Sequence, residues 1–122
     1  MASALLLVLS LVPRVAPAVA HAIVLESIPA NDAVLDHSPE RIMLRFNSKI
    51  EKPLTRVTLA AGRATPRPLS IAREGPTGGG PDRIVVPLEP LPAGRYVIRY
   101  TVLSADGHVT EGALRFSVGN SR

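Results

Sequence analysis

The chain has 122 residues, no cysteine, 14 Lys and Arg against 10 Asp and Glu, and 3% aromatic residues. That length makes one domain, and without cysteine it has neither disulfides nor thiolate ligands. Its arginines come singly, as at Arg41, Arg45, Arg63, Arg67, Arg73, Arg83, Arg95, Arg99 and Arg115; lacking the basic stripe and stacking aromatics of a nucleic-acid-binding protein, they read as a solvated face.

Residues 1–20, "MASALLLVLSLVPRVAPAVA", have the layout of a secretory signal peptide. An apolar run from Ala4 to Val12 is followed by the helix breakers Pro13 and Pro17 and by the small-residue site Ala18-Val19-Ala20. No Lys or Arg occurs between Met1 and Leu5, so the start amine supplies the only positive charge of the n-region. The run is shorter than the roughly 20 apolar residues needed to span a bilayer. Cleavage after Ala20 is expected, leaving residues 21–122 as one domain of net charge +3 without a membrane span.

Within that domain the pattern has period two. "RIMLRFN" (Arg41 to Asn47) alternates Ile42, Leu44 and Phe46 against Arg41, Met43 and Arg45. "RYVIRYTVL" (Arg95 to Leu103) sets Tyr96, Ile98, Tyr100 and Val102 on one face, and "ALRFSV" (Ala113 to Val118) does the same with Leu114, Phe116 and Val118. Less regular strands are expected at Ala22 to Ile28, Thr55 to Ala60, Arg67 to Ala72 and Arg83 to Leu88. Between them stand the turn-forming segments "IPAND", "HSPE", "EGPTGGGPD" and "EPLPAG". No stretch has helical periodicity, and 12 prolines oppose one. The fold class is therefore all-β, a Greek-key immunoglobulin-like β-sandwich of about seven strands. "GPTGGGP" reads as a mobile loop and not as a phosphate cradle, because no helix follows it.

Candidate chemistry rests on three histidines, His21, His37 and His108. "SADGHVTEG" (Ser104 to Gly112) lies between the two most regular strands, and Asp-Gly there is a strong hairpin signal that on its own leaves His108 merely exposed. In an immunoglobulin-like sandwich, however, the first strand begins at the same end as this loop. Cleavage after Ala20 gives His21 a free α-amine able to chelate a metal with its own imidazole, while His108 adds a second imidazole and Asp106 a carboxylate. Three nitrogens and one oxygen suit Cu(II), which favours tetragonal N,O coordination; zinc could use the same donors, although such a structural zinc site would be unusual. Soft ligands for Cu(I) are nearly missing, since Met1 leaves with the leader and Met43 stands alone as a surface or packing residue. His37, before a Ser-Pro turn, reads as a loop histidine. Catalytic readings are thin: Ser48, Ser104 and Ser117 lack a nucleophile-elbow context, and Glu26, Asp32, Asp36 and Glu111 look like turn or solvent-facing residues.

The segments "ESIPAND", "SPERIMLRFNSKIE", "LPAGRYVIRY" and "VLSADGHVTEGALRFSV", together with His21, resemble the CopC family of periplasmic copper-binding proteins over essentially the whole mature chain. The resemblance implies a Greek-key β-sandwich that binds Cu(II) through His21, Asp106 and His108, a role in copper resistance or uptake, and a CopD-like membrane protein as partner. It also marks departures. The methionine-rich loop of members with a Cu(I) site has no counterpart in "RATPRPLSIAREGPTGGGPD", Ser48 stands near a glutamate that some members supply as a ligand, and Tyr100 stands where tryptophan is common, a change expected to affect packing. The expected function is thus an exported, non-enzymatic Cu(II)-binding protein that sequesters copper or delivers it to a membrane transporter. Two competing readings remain at this point, a copper oxidative enzyme with a histidine brace and a metal-free immunoglobulin-like interaction module. A brace enzyme would need an open copper position that Asp106 would fill.

Overall fold

The computed structural model describes residues 12–13, 22–72 and 78–119. The expected leader, apart from Val12 and Pro13, His21, and residues 73–77, which include the start of the loop expected to be mobile, lie outside the described residues.

Among the described residues eight strands follow in chain order: β1 (Val24–Ile28), β2 (Ala33–Leu35), β3 (Arg41–Phe46), β4 (Arg56–Ala61), β5 (Arg67–Leu69), β6 (Arg83–Pro87), β7 (Gly94–Leu103) and β8 (Val109–Val118), with one 3-10 turn at Lys52–Leu54. They form a sandwich of a three-stranded sheet in the order β1-β3-β6 and a five-stranded sheet in the order β2-β8-β7-β4-β5. The alternation read from the sequence is what closes it. Ile42, Leu44 and Phe46 from β3, with Ile84 and Val86 from β6, meet Val57, Leu59, Ile98, Val102, Leu114 and Phe116 from the facing sheet, all of them buried. Phe46 and Tyr100 join the two sheets with ring centroids 5.8 Å apart at 77°, while Tyr96 stacks on its cross-strand partner Phe116 at 5.6 Å.

Three details correct the expected strand map. β2 was not expected; it is a short edge strand that pairs parallel with Ala33 opposite Phe116 and Leu35 opposite Val118, too brief to show a period. The segment expected as one strand from Arg67 to Ala72 divides instead. Its first part pairs with β4 as β5, and Ala72 crosses to bridge Val85 of the other sheet. Finally, β8 begins at Val109, so "SADGHVTEG" is a loop only over residues 104–108. The first inward positions of β8 are Thr110 and Gly112, which is why apolar periodicity does not announce them.

Candidate metal centre

The turn joining β7 to β8 is closed by two backbone hydrogen bonds. Ser104 N–H donates to the His108 carbonyl at 2.9 Å, and Gly107 N–H donates to the Ser104 carbonyl at 2.9 Å. Gly107 has φ +90°, a left-handed conformation, with open space where a Cβ would stand. The Asp-Gly pair thus builds a turn, as the hairpin reading required.

The same turn also assembles donors. Ser104 is buried, 1% exposed, and its hydroxyl donates to Oδ1 of Asp106. The other carboxylate oxygen, Oδ2, lies 3.1 Å from Nδ1 of His108, and that nitrogen is shielded from solvent although the two side chains keep 42% and 44% of their surface exposed. The Ser104 hydroxyl, and then His108, hold the Asp106 carboxyl below the ordinary aspartate range. Asp106 is therefore ionised at neutral pH, as a ligand must be.

Two further segments frame the turn. On one side Ala105 N–H donates to the Lys49 carbonyl at 3.0 Å and Glu51 N–H to the Leu103 carbonyl at 2.8 Å, which sets the segment containing Ser48 beside it. On the other, Ala22 N–H donates to Oγ1 of Thr110 at 3.2 Å, Ile23 N–H to Oδ1 of Asn47 at 2.9 Å, and Asn47 N–H returns to the Ile23 carbonyl at 3.0 Å. Ala22, itself buried, is thereby held between the start of β8 and the end of β3.

The donor set fits a metal ion. With metal–donor bonds of about 2.0 Å, two neighbouring donors of a square-planar ion stand about 2.8 Å apart. The 3.1 Å between Oδ2 and Nδ1 is close to that bite. Among the described residues no group of three or more His, Cys, Asp or Glu could hold a metal. The structure brings together Asp106 and His108, while the third expected ligand, His21, lies outside the described residues.

Other singled-out residues fall away from this pair. His37 is exposed in the connection after β2, whose last residue pairs with Val118, at the opposite end of the ten-residue β8. Met43 is half-buried on the outer face of the three-stranded sheet between Ile28 and Val85, a packing position. Tyr100 packs against Phe46 and lies over Gly112, and burial pushes its phenol pKa up.

Sequence reasoning missed Thr110 and Asn47, which hold the start of the domain, and the part Ser104 plays in orienting Asp106. Ser-x-Asp within a turn is a local signal that could have flagged Ser104, since short hydroxyl and carboxylate side chains bond within such loops. Thr110 and Asn47 act across long sequence separations and carry no comparable signal.

Comparison with known proteins identifies the family and the fold. The family model of the CopC domain matches residues 24–119. Copper resistance protein C of Escherichia coli is 30% identical over 106 residues, covering 83% of each chain. The crystal structure of CopC from Methylosinus trichosporium OB3b superposes with a TM-score of 0.71 at 23% identity, covering 84% of this chain and 97% of that one. PcoC, a methionine-rich copper resistance protein from Escherichia coli, superposes with a TM-score of 0.65 at 29% identity, covering 81% and 99%. On the family match, and on the two-sheet sandwich it shares with these structures, the chain belongs to the CopC family.

Proposed function

We propose that this protein is exported, binds Cu(II) through His21, Asp106 and His108, and sequesters copper or hands it to a CopD-like membrane transporter. The family to which it belongs consists of copper-resistance proteins and not enzymes, which weighs against the histidine-brace monooxygenase. The observation that carries the reading is the tether of Ala22 to Thr110, two positions beyond His108. Covalent geometry keeps the Cα of residue 21 within about 3.8 Å of that of residue 22, so an amine and imidazole on His21 would start from the edge of the Asp106–His108 pair.

Each residue has a separate task in this scheme. Ser104 holds Asp106 ionised and aimed, Asp106 supplies a carboxylate oxygen, His108 an imidazole nitrogen, and His21 the amine and a second imidazole. Copper is the cargo, and its arrival displaces the protons that these donors carry, so uptake weakens as pH falls. With only 2 methionines in the chain, one of them in the leader, the set favours Cu(II) over Cu(I). Signal-peptide cleavage after Ala20 and a periplasmic address complete the proposal, because only the processed chain has a free amine on His21.

The test is a Cu(II) titration followed by electron paramagnetic resonance on the chain beginning at His21, repeated with one residue added before it. The extended form is expected to bind much more weakly and with an altered spectrum. Asp106→Ala and His108→Ala should each weaken binding, and His37→Ala should not. Unchanged tight binding in the extended form would overturn the amine chelate, and no binding in either form would favour the interaction module.

A further inference from the structure

Four of the arginines scattered along the sequence are gathered by the five-stranded sheet. Outward positions on β4, β7 and β8 form cross-strand rows: Arg56, Thr101 and Glu111; Thr58, Arg99 and Ala113; Ala60, Val97 and Arg115; and, at the far end from the metal-site turn, Arg95 beside Ser117. Arg56, Arg95, Arg99 and Arg115 are all exposed. The ion pairs among the described residues are Arg45 with Glu26 and His108 with Asp106, so none of these four is neutralised. The carboxylates near them are Glu111 on the face and Asp32 at its margin. At 3.4 Å per residue and 4.8 Å between strands, the four charges spread over about 20 Å by 10 Å.

We infer that this face is an electrostatic docking surface for an anionic lipid bilayer. Charge complementarity carries the assignment, and the character of the face narrows it. Around the arginines stand the small side chains of Thr58, Ala60, Thr101, Ala113 and Ser117 with Val97 among them, and apolar residues border the patch at its ends, Val34 beside Ser117 and the cross-strand pair Leu103 and Val109 beyond Thr101 and Glu111. Stable protein partners are gripped by buried aromatic or large apolar residues that fill pockets, and single-stranded nucleic acid by aromatic platforms; the outward rows contain no aromatic residue, and their larger apolar side chains, Val97 apart, lie at the ends and not among the arginines. A flat field of negative headgroups needs only spread cationic charge. The outer face of the three-stranded sheet carries Arg41 and Arg83 as exposed arginines, with Arg45 held by Glu26 and an apolar row of Ile28, Met43 and Val85 between them. Docked flat on the five-stranded sheet, the molecule lays β7 and β8 parallel to the membrane and brings the Asp106–His108 turn to the edge of the footprint.

The experiment uses the metal-free chain from His21 onward, which contains the whole sandwich, so its outcome is independent of copper. Co-sedimentation is measured with vesicles of phosphatidylcholine alone and of equal parts phosphatidylcholine and phosphatidylglycerol. Binding is expected to the mixed vesicles only, strong at about 0.01 M salt, where the screening length is about 30 Å, and lost at about 1 M, where it is about 3 Å. Arg99→Gln and Arg115→Gln should each lower the partition constant about fivefold, and the fourfold variant with Arg56→Gln and Arg95→Gln should not sediment. Circular dichroism confirms that each variant is folded. Arg41→Gln with Arg83→Gln, on the other sheet, should change binding less than Arg99→Gln with Arg115→Gln. Failure to bind mixed vesicles, equal binding to neutral ones, or a greater loss from the three-stranded face overturns the inference. Capture by immobilised polyglutamate without vesicle binding would assign the face to an acidic protein.

Discussion

The middle of the β7–β8 hairpin and its tip are built by different means. In the middle, the register is set by shape: Tyr96 stacks on Phe116, and Tyr100 lies so closely over Gly112 that any Cβ there would meet its hydroxyl and ring carbons. At the tip, position is set by hydrogen bonds among Ser104, Asp106 and His108, and the side chains that carry chemistry stay half open to solvent. Stability and ligand capacity are thus separated along one pair of strands. The packed part can be altered at the expense of folding and the bonded part at the expense of binding.

Three substitutions test that separation. Gly112→Ala forces the Tyr100 ring out of its seat between Phe46 and the β8 backbone, and is expected to cost about 1–3 kcal/mol in a urea melt of the metal-free protein. If the folded fraction still binds Cu(II) with parental affinity, packing and binding are separate; a parallel loss of affinity would merge them. Ser104→Ala removes the hydroxyl donor to Asp106 from a buried position. It should cost about 1–2 kcal/mol of stability and lower Cu(II) affinity about tenfold, the scale typical of removing a partner that orients a ligand. A urea melt checks the first and isothermal titration with Cu(II) the second, each against the parent chain, and unchanged affinity would reduce Ser104 to a structural residue.

The smallest effect is one of pH. The folded carboxyl of Asp106 titrates below its ordinary value of 3.8, so its contribution is complete above that value and is lost as pH falls through the lower folded one. The urea midpoint of the metal-free protein should therefore decline on acidification below about pH 4 with a component that Asp106→Asn removes. Because the carboxylate is exposed to solvent and salt, that component is a minor part of the whole acid response. Identical pH profiles for the parent and Asp106→Asn would show that the tip holds no such linkage.

Much of the packed part was legible in the sequence, because burial on one face of a strand writes itself as alternation. Ile42, Leu44 and Phe46, and likewise Leu114, Phe116 and Val118, were read as inward and are buried. Where burial is not apolar the reading fails, as at Thr110 and Gly112, which are inward but silent, and so β8 was expected to start too late. A three-residue edge strand such as β2 has too few positions to show any period. The candidate site was legible in its chemistry, since Asp106 and His108 share a turn between regular strands. Its framing was not, because Ala22 with Thr110 is a contact made only once the sandwich closes, and Ile23 with Asn47 one made only when β1 pairs with β3.

Gly107 shows what kind of constraint the tip imposes. Its φ is +90°, yet nothing lies within 4 Å of where a side chain would begin. The restriction is therefore one of handedness and not of room. A D-amino acid, whose backbone prefers positive φ, would fit where its L enantiomer is strained. Mirror-image residues at position 107 would let chemical synthesis stiffen the turn without touching either donor.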